Sequence, residues 1–355
     1  MSLLATRIDL SAIAHNTSTM KALVGGARLV AVVKANAYNH GVERVVPVME
    51  GAGADAFGVA TFAEAARVRA LTRVPVVAWL WVPGEPVPAG IEVAAPSVEH
   101  LRSLIDARVT APVHIEVDTG MNRAGVDEED WEEAFALAAR AGLNVVGLMS
   151  HLACADEPAN PYNDVQARAF RRAIDRARAH GLDLERNDLA NSPASLTRGD
   201  LLFDQARVGV ALYGLEPVAG ASHGLRPAMS WVARVLAVRR VRRGQGVSYG
   251  LTWQAPDDGY AAVISAGYAD GVSRAWQGRF DVGVGGRRYA QVGRVCMDQF
   301  LVWLGDNPHG VAAGDEAVIF GAGGMSATEL AQSAGTINYE VVCAPTGRTH
   351  RVYTD

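Results

Sequence analysis

Residues 28–41 read RLVAVVKANAYNHG, and the reading of this stretch decides the fold. Leu29 to Val33 is an apolar, valine-rich run, too short for a helix and best read as a strand buried on both faces. Lys34 closes it. A charged lysine cannot continue a buried run, so its amine either reaches water along the methylene stem or sits in a pocket at the strand's C-terminal mouth. Asn36, Ala37, Tyr38 and Asn39 then form a polar turn with one aromatic, and His40-Gly41 leads into the helical spacing of Val42, Val45, Val46 and Met49.

Working outward, the strand–turn–helix unit repeats. Strand candidates fall at 29–33, 57–60, 75–80, 91–95, 113–117, 144–149 and 206–210, with a weak one at 188–190, and helical patterns at 62–71, 98–107, 128–141 and 165–180 separate them. Such alternation means parallel strands joined by crossover helices, and eight of them in about 200 residues is the size of a closed (β/α)8 TIM-type barrel of the α/β class. A doubly wound open sheet is the alternative. From about residue 225 the texture changes to alternating runs at 232–241, 260–265, 280–284, 289–295, 300–304 and 316–320, separated by glycine-containing turns, with one helical piece at 328–333. The reading is a barrel over 1–224 followed by a mostly β C-terminal domain over 225–355.

Composition narrows the function. A chain of 355 residues exceeds the size at which one core keeps growing, which favours two domains. Its 49% hydrophobic and 20% charged content is that of a soluble globular enzyme. A net charge of −5 and a pI near 6.0, with no basic stripe, exclude nucleic acid as the expected partner. The start MSLLATRIDL meets Arg7 and Asp9 before a signal-like apolar core forms, and no run reaches the ~18 to 20 apolar residues of a membrane span. Cys154, Cys296 and Cys343 are odd in number and far apart, against a disulfide framework and against zinc spacing. The expectation is a cytoplasmic protein without a metal.

In such a barrel, chemistry gathers at the C-terminal strand ends. Those positions hold Lys34 and Tyr38, then Asp118, Met121 and Arg123, then His151, then Asn191 and Ser192, and finally Arg207, Gly209 and Val210. Loops after strands seven and eight of many barrels bind phosphate through backbone N–H groups, and NSPAS at 191–195 with RVGVALYG at 207–214 offers a hydroxyl and a glycine for close approach. The plainer reading is that Gly209 relieves packing and Ser192 caps a helix. A phosphate site beside a strand-end lysine suggests pyridoxal phosphate, whose aldehyde a lysine holds as a Schiff base. Arg207 opposite the pyridine nitrogen would leave that nitrogen unprotonated and the ring a weaker electron sink.

The ordered motifs AVVKANAYNHG, VDTGMNRAG, HLACADE, ANSPAS, RVGVALYG, VSYGLTW, GYADG, VGRVCMDQ and INYEVVC resemble those of the alanine racemase family, fold-type III pyridoxal-phosphate enzymes. The resemblance runs from about Arg7 to Cys343. It implies a homodimer whose active sites take residues from both chains, acting on alanine. It implies that Lys34 binds the cofactor and serves as the base on one face of the substrate, and that Tyr268 of the other subunit is the base on the opposite face. Arg207 would face the pyridine nitrogen with His151 supporting it. Tyr38, Asn191, Ser192, Gly209, Val210 and Tyr339 would hold the cofactor, chiefly its phosphate, while Arg123, the backbone of Met297 and the adjacent Asp298 would bind substrate. The chemistry is consistent with this, since racemisation removes a proton from one side of Cα and returns one to the other.

One position departs from the family pattern. Where the family commonly carries a lysine two residues before the aspartate of the DTGM motif, often carbamylated, this chain has Glu116, which would supply a negative charge to hold Arg123. The alternative is that Glu116 pairs elsewhere on the barrel wall. Other function classes also remain in view: a racemase of broader amino-acid range, a non-catalytic pyridoxal-phosphate-binding protein, which would lack a second domain, and a decarboxylase of basic amino acids, expected to place an acid where Arg207 stands.

Overall fold

The computed structural model describes residues 2–355. Two compact units emerge, one formed by Ala12–Ala37 and Gly41–Arg226, the other by residues 2–11, Tyr38–His40 and Pro227–Asp355.

The first unit is the barrel. Seven parallel strands follow one another around the sheet in the order Val145–Met149, Val113–Glu116, Glu92–Ala95, Val76–Leu80, Ala56–Thr61, Arg28–Val32 and Gln205–Val208. The expected strand at 188–190 is reduced to Asp188, which makes parallel bridges to Met149 on one side and Gln205 on the other and so closes the ring. The reason lies next door. Asn187 Oδ1 accepts the Leu148 N–H at 3.0 Å, doing with a side chain what a strand carbonyl would otherwise do. Val30, Ala56 and Val77, from adjacent strands, form a buried cluster with Trp79 against it, as expected of strands covered on both faces.

The crossover helices begin where local chemistry starts them. Phe62–Arg69 carries a capping box of Thr61 and Glu64 and buries Phe62, Ala65 and Val68. Val98–Asp106 is capped by Ser97 and buries Val98, Leu101 and Leu104. Trp131–Ala141 stops at Gly142 in the left-handed conformation, φ 64°.

The second unit is β-rich. The 13-residue strand Met229–Val241 pairs with Glu316–Phe320 and with Gly259–Ile264, and through Asp281–Val284, Arg287–Val292 and Phe300–Gly305 the strands return on themselves. Strand Leu4–Asp9, at the start of the chain, belongs here: it runs antiparallel to residues 229–233 and parallel to His350–Thr354. Helices Ala327–Ala334 and Asn338–Cys343 precede that last strand. Among the described residues no helix is long and apolar enough to cross a membrane, and no group of three or more metal-ligating side chains occurs.

Candidate active site

Lys34 stands where the strand Arg28–Val32 has ended, with Nζ 5.9 Å from the centre of the Trp79 ring. The polar turn expected after it is a left-handed helical turn. Ala35, Asn36, Ala37, Tyr38 and Asn39 have φ of 52°, 56°, 57°, 49° and 67°. For residues other than glycine this conformation costs roughly 1–2 kcal/mol each. Fixed partners hold it: Ala35 N donates to Glu64 Oε1 at 2.7 Å, Gly41 N to Asn36 O at 3.0 Å, and Val42 N to Asn36 Oδ1 at 3.0 Å. At its far end Asn39 Nδ2 donates to Pro345 O at 2.7 Å, while Arg351 Nε donates to Asn39 O at 2.8 Å and its Nη2 to Asn39 Oδ1.

Around the rest of the barrel rim the expected residues share one electrostatic environment. Arg207 is 9% exposed; Nη2 donates to Ser150 O at 2.6 Å and lies 3.5 Å from His151 Nδ1, and Nη1 forms an ion pair with Asp188, itself 1% exposed. Burial lowers the Arg207 guanidinium to about 10, against the pull of Glu116 and with the push of Arg123. It stays charged at neutral pH. Burial first, then the cations Arg207, Arg123 and Lys34, push the His151 imidazole down to about 3. His151 is therefore neutral and can accept from Arg207 at Nδ1. Glu116 closes the strand Val113–Glu116; burial raises its pKa and Asp118 adds to this, while Arg207 and Arg123 oppose. Glu116 makes no direct ion pair with either arginine among the described residues, so its effect on Arg123 is exerted through space. Arg123 itself is exposed. Asp118 is fully used in its own turn, accepting N–H groups of Gly120, Met121 and Asn122 at 2.7, 2.9 and 2.8 Å.

The loops after the seventh and eighth positions are stitched together. The helix Ser192–Thr197 is capped by Asn191, whose side chain accepts from Ala194 N, not by Ser192. Ser192 Oγ instead accepts the N–H of Gly209 at 2.9 Å and of Ala211 at 3.4 Å, which leaves its hydroxyl hydrogen for another acceptor. Val210 opens the following turn, buried.

The remaining residues lie in the second unit. Tyr38 is buried, its ring centre 6.2 Å from that of Tyr339, and burial, with Tyr339 and Cys343 nearby, holds its phenol well above the usual range. Tyr268 is 44% exposed and Met297 52% exposed. Their two turns are joined by backbone: Tyr268 N donates to Cys296 O and Ala269 N to Met297 O, both at 3.0 Å. Asp298 accepts from Arg348 Nη1 at 2.8 Å.

The sequence reading missed Asp188 and Arg348. Asp188 looked like part of a weak strand, and no local pattern marks a carboxylate that will meet an arginine from the next strand. Arg348 meets Asp270 across 78 positions, a separation that leaves no periodic trace.

A parallel barrel that brings an amine, a buried guanidinium and a neutral imidazole to its C-terminal rim has the layout of a barrel enzyme, whose chemistry gathers at that rim. Comparison with known proteins gives the family. Residues 8–217 match the family described as alanine racemase, N-terminal domain, and residues 228–353 match alanine racemase, C-terminal domain. The chain is 59% identical over 363 residues to the alanine racemase of Corynebacterium efficiens, covering 100% of this chain and 99% of that one. The crystal structure of alanine racemase from Corynebacterium glutamicum superposes with a TM-score of 0.92 at 51% identity, with complete coverage of both chains. That of Bartonella henselae, which contains covalently bound pyridoxal phosphate, gives 0.91 at 26% identity, again with complete coverage. The chain belongs to the alanine racemase family, and it is an isomerase.

Proposed function

We propose that the protein interconverts L- and D-alanine with pyridoxal 5'-phosphate, moving a proton at the substrate's Cα between Lys34 on one face and Tyr268 of a second copy of the chain on the other. The cofactor, when bound, supplies the electron sink that acidifies the Cα–H bond. The residues present fit it. Lys34 offers a primary amine beside an aromatic ring. Arg207 has its Nη2 bonded to Ser150 O and beside His151 and its Nη1 paired with Asp188, and in this reading an N–H of the same guanidinium not used by those contacts is directed to the ring nitrogen. The Ser192 hydroxyl, the backbone of Asn191, Gly209 and Val210, and the phenols of Tyr38 and Tyr339 are assigned to the phosphate.

Arg123, the Met297 N–H and the adjacent Asp298 bind the substrate, and Glu116 contributes negative charge toward Arg123. The exposed position of Tyr268 suits a group offered to a partner subunit, so the enzyme works as a homodimer whose β-rich unit, which includes strand Leu4–Asp9 rather than starting at residue 225, serves the partner's site. Its place is the cytoplasm, where D-alanine feeds cell-wall synthesis.

The observation that supports this reading is His151: burial first, and then Arg207, Arg123 and Lys34, lower its imidazole pKa, so the three cations assigned here to cofactor and substrate all lie within electrostatic reach of one side chain. The test is a borohydride-reducible visible chromophore in the purified protein, followed by loss of optical rotation across a panel of single-enantiomer amino acids. Alanine is expected to lose rotation fastest. A colourless protein overturns the proposal, and a coloured one that prefers larger residues replaces it with a broad-range racemase.

A further inference from the structure

The tyrosine turn 267–271 has glycine at both ends, and close packing requires them. A Cβ on Gly267 would run into the Met297 carbonyl, and one on Gly271 into that of Ala344. Such a turn has little rigidity of its own. Two backbone hydrogen bonds tie it to Cys296 and Met297, and side-chain bonds fix it further, through Asp270. This carboxylate is 1% exposed; Oδ2 accepts from Gly267 N at 3.1 Å and from Arg348 Nη2 at 2.8 Å, and Oδ1 accepts from Arg348 Nε at 2.8 Å. The same guanidinium donates through Nη1 to Asp298 Oδ1 at 2.8 Å, while Asp270 O accepts from Thr346 N at 2.9 Å. One arginine thus adds a side-chain link between the turn carrying Tyr268 and the turn carrying Met297, beside the two backbone bonds that already join them. The planar fork matters, because a lysine ammonium could not reach both oxygens of one carboxylate and an oxygen of another in fixed directions.

We propose that Arg348 is a positioning residue for the reaction, setting where the Tyr268 phenol stands relative to the Met297 backbone that meets the substrate carboxylate. The inference rests on the two-base reading above. A displacement of about 1 Å at a reacting group costs on the order of a hundredfold in rate, so Arg348→Ala is expected to lose about that much racemase activity, and Arg348→Lys less.

The decisive measurement follows α-proton exchange and racemisation of each alanine enantiomer separately in deuterium oxide, with the holoenzyme, Tyr268→Phe as reference, and Arg348→Ala and Arg348→Lys as tests. Loss of one base in Tyr268→Phe should leave one enantiomer, the one whose proton departs toward Lys34, exchanging without inversion. Both Arg348 variants should show the same-handed imbalance, smaller in the lysine variant, together with faster amide exchange in residues 267–272 by mass spectrometry. If exchange of both enantiomers falls equally in the Arg348 variants while Tyr268→Phe is lopsided, Arg348 serves only the fold and the inference fails. Unaltered exchange in both variants overturns it equally. If Tyr268→Phe itself shows no imbalance, the two-base assignment fails and this inference falls with it. Should Arg348→Ala not fold, Arg348→Lys decides alone by the same criteria.

Discussion

Residues 35–39 hold five consecutive non-glycine residues at positive φ, whereas residues 267–271 carry glycine at both ends and only Gly271 there, at 105°. The first turn follows Lys34 and is imposed on side chains that resist it, by partners such as Glu64 and Asn36. The second relies on glycine at its ends and is held by backbone bonds to residues 296–297 together with one buried carboxylate and one guanidinium. Their surroundings differ too. The barrel rim gathers cations around a neutral histidine, while the tyrosine turn balances Arg348 against Asp270 and Asp298. An active group can therefore be fixed by strain held from outside or by charge pairing across a flexible loop, and the two should respond differently to substitution.

The sharpest contrast comes from the reacting groups. Lys34→Ala should remove both the visible chromophore and turnover, by more than the roughly 10²–10⁴-fold a single acid–base group supplies, whereas Tyr268→Phe should keep the chromophore; absorption spectra and initial rates separate the two. Gly271→Ala comes next. Its added Cβ meets the Ala344 carbonyl at positive φ, so it should lose more than about 1–2 kcal/mol in denaturant unfolding.

Glu116→Gln tests the rim. Burial raises this carboxyl's pKa in the folded state, so ionisation costs stability as pH rises through the folded pKa. Glutamine should make the protein more stable at pH 7 to 8 and alter little below about pH 4. If Glu116 holds Arg123, the KM for alanine rises at the same time, and an unchanged KM and turnover would refute that role.

His151 gives a smaller, signed effect. With its folded pKa depressed to about 3, the unfolded chain binds the extra proton below about 6.5. Stability is lost as pH falls from there toward 3, by up to about 1.4 kcal/mol per unit. His151→Gln should flatten that part of the stability curve. The smallest change is Ala35→Gly, which relieves a left-handed alanine at φ 52° and should leave stability unaltered or raise it by up to about 1 kcal/mol. If Ala35→Gly and Gly271→Ala shift stability in the same direction, the contrast between the turns is wrong.

The barrel was legible because buried strands and amphipathic helices alternate with different periods, and the rim because Lys34, His151 and Arg207 interrupt apolar runs at or near strand ends. Other features left no such mark. Nothing in KANAYN signals five left-handed residues, since none is glycine and the hydrogen bonds that hold them come from residues such as Glu64. The seventh strand shrank to one residue because the Asn187 side chain takes a backbone role. Strand Leu4–Asp9 finds its partner in residues 229–233, and no local pattern anticipates a pairing across most of the chain.

The single-residue closure at Asp188 has one more consequence. Its backbone bridges the two neighbouring strands while its carboxylate pairs with Arg207, so one amino acid is both the clasp of the hoop and the counter-ion of its innermost cation. The hoop cannot gape at this seam without stranding a guanidinium in a dry interior, and shape and charge are thereby locked to each other at the weakest point of the ring.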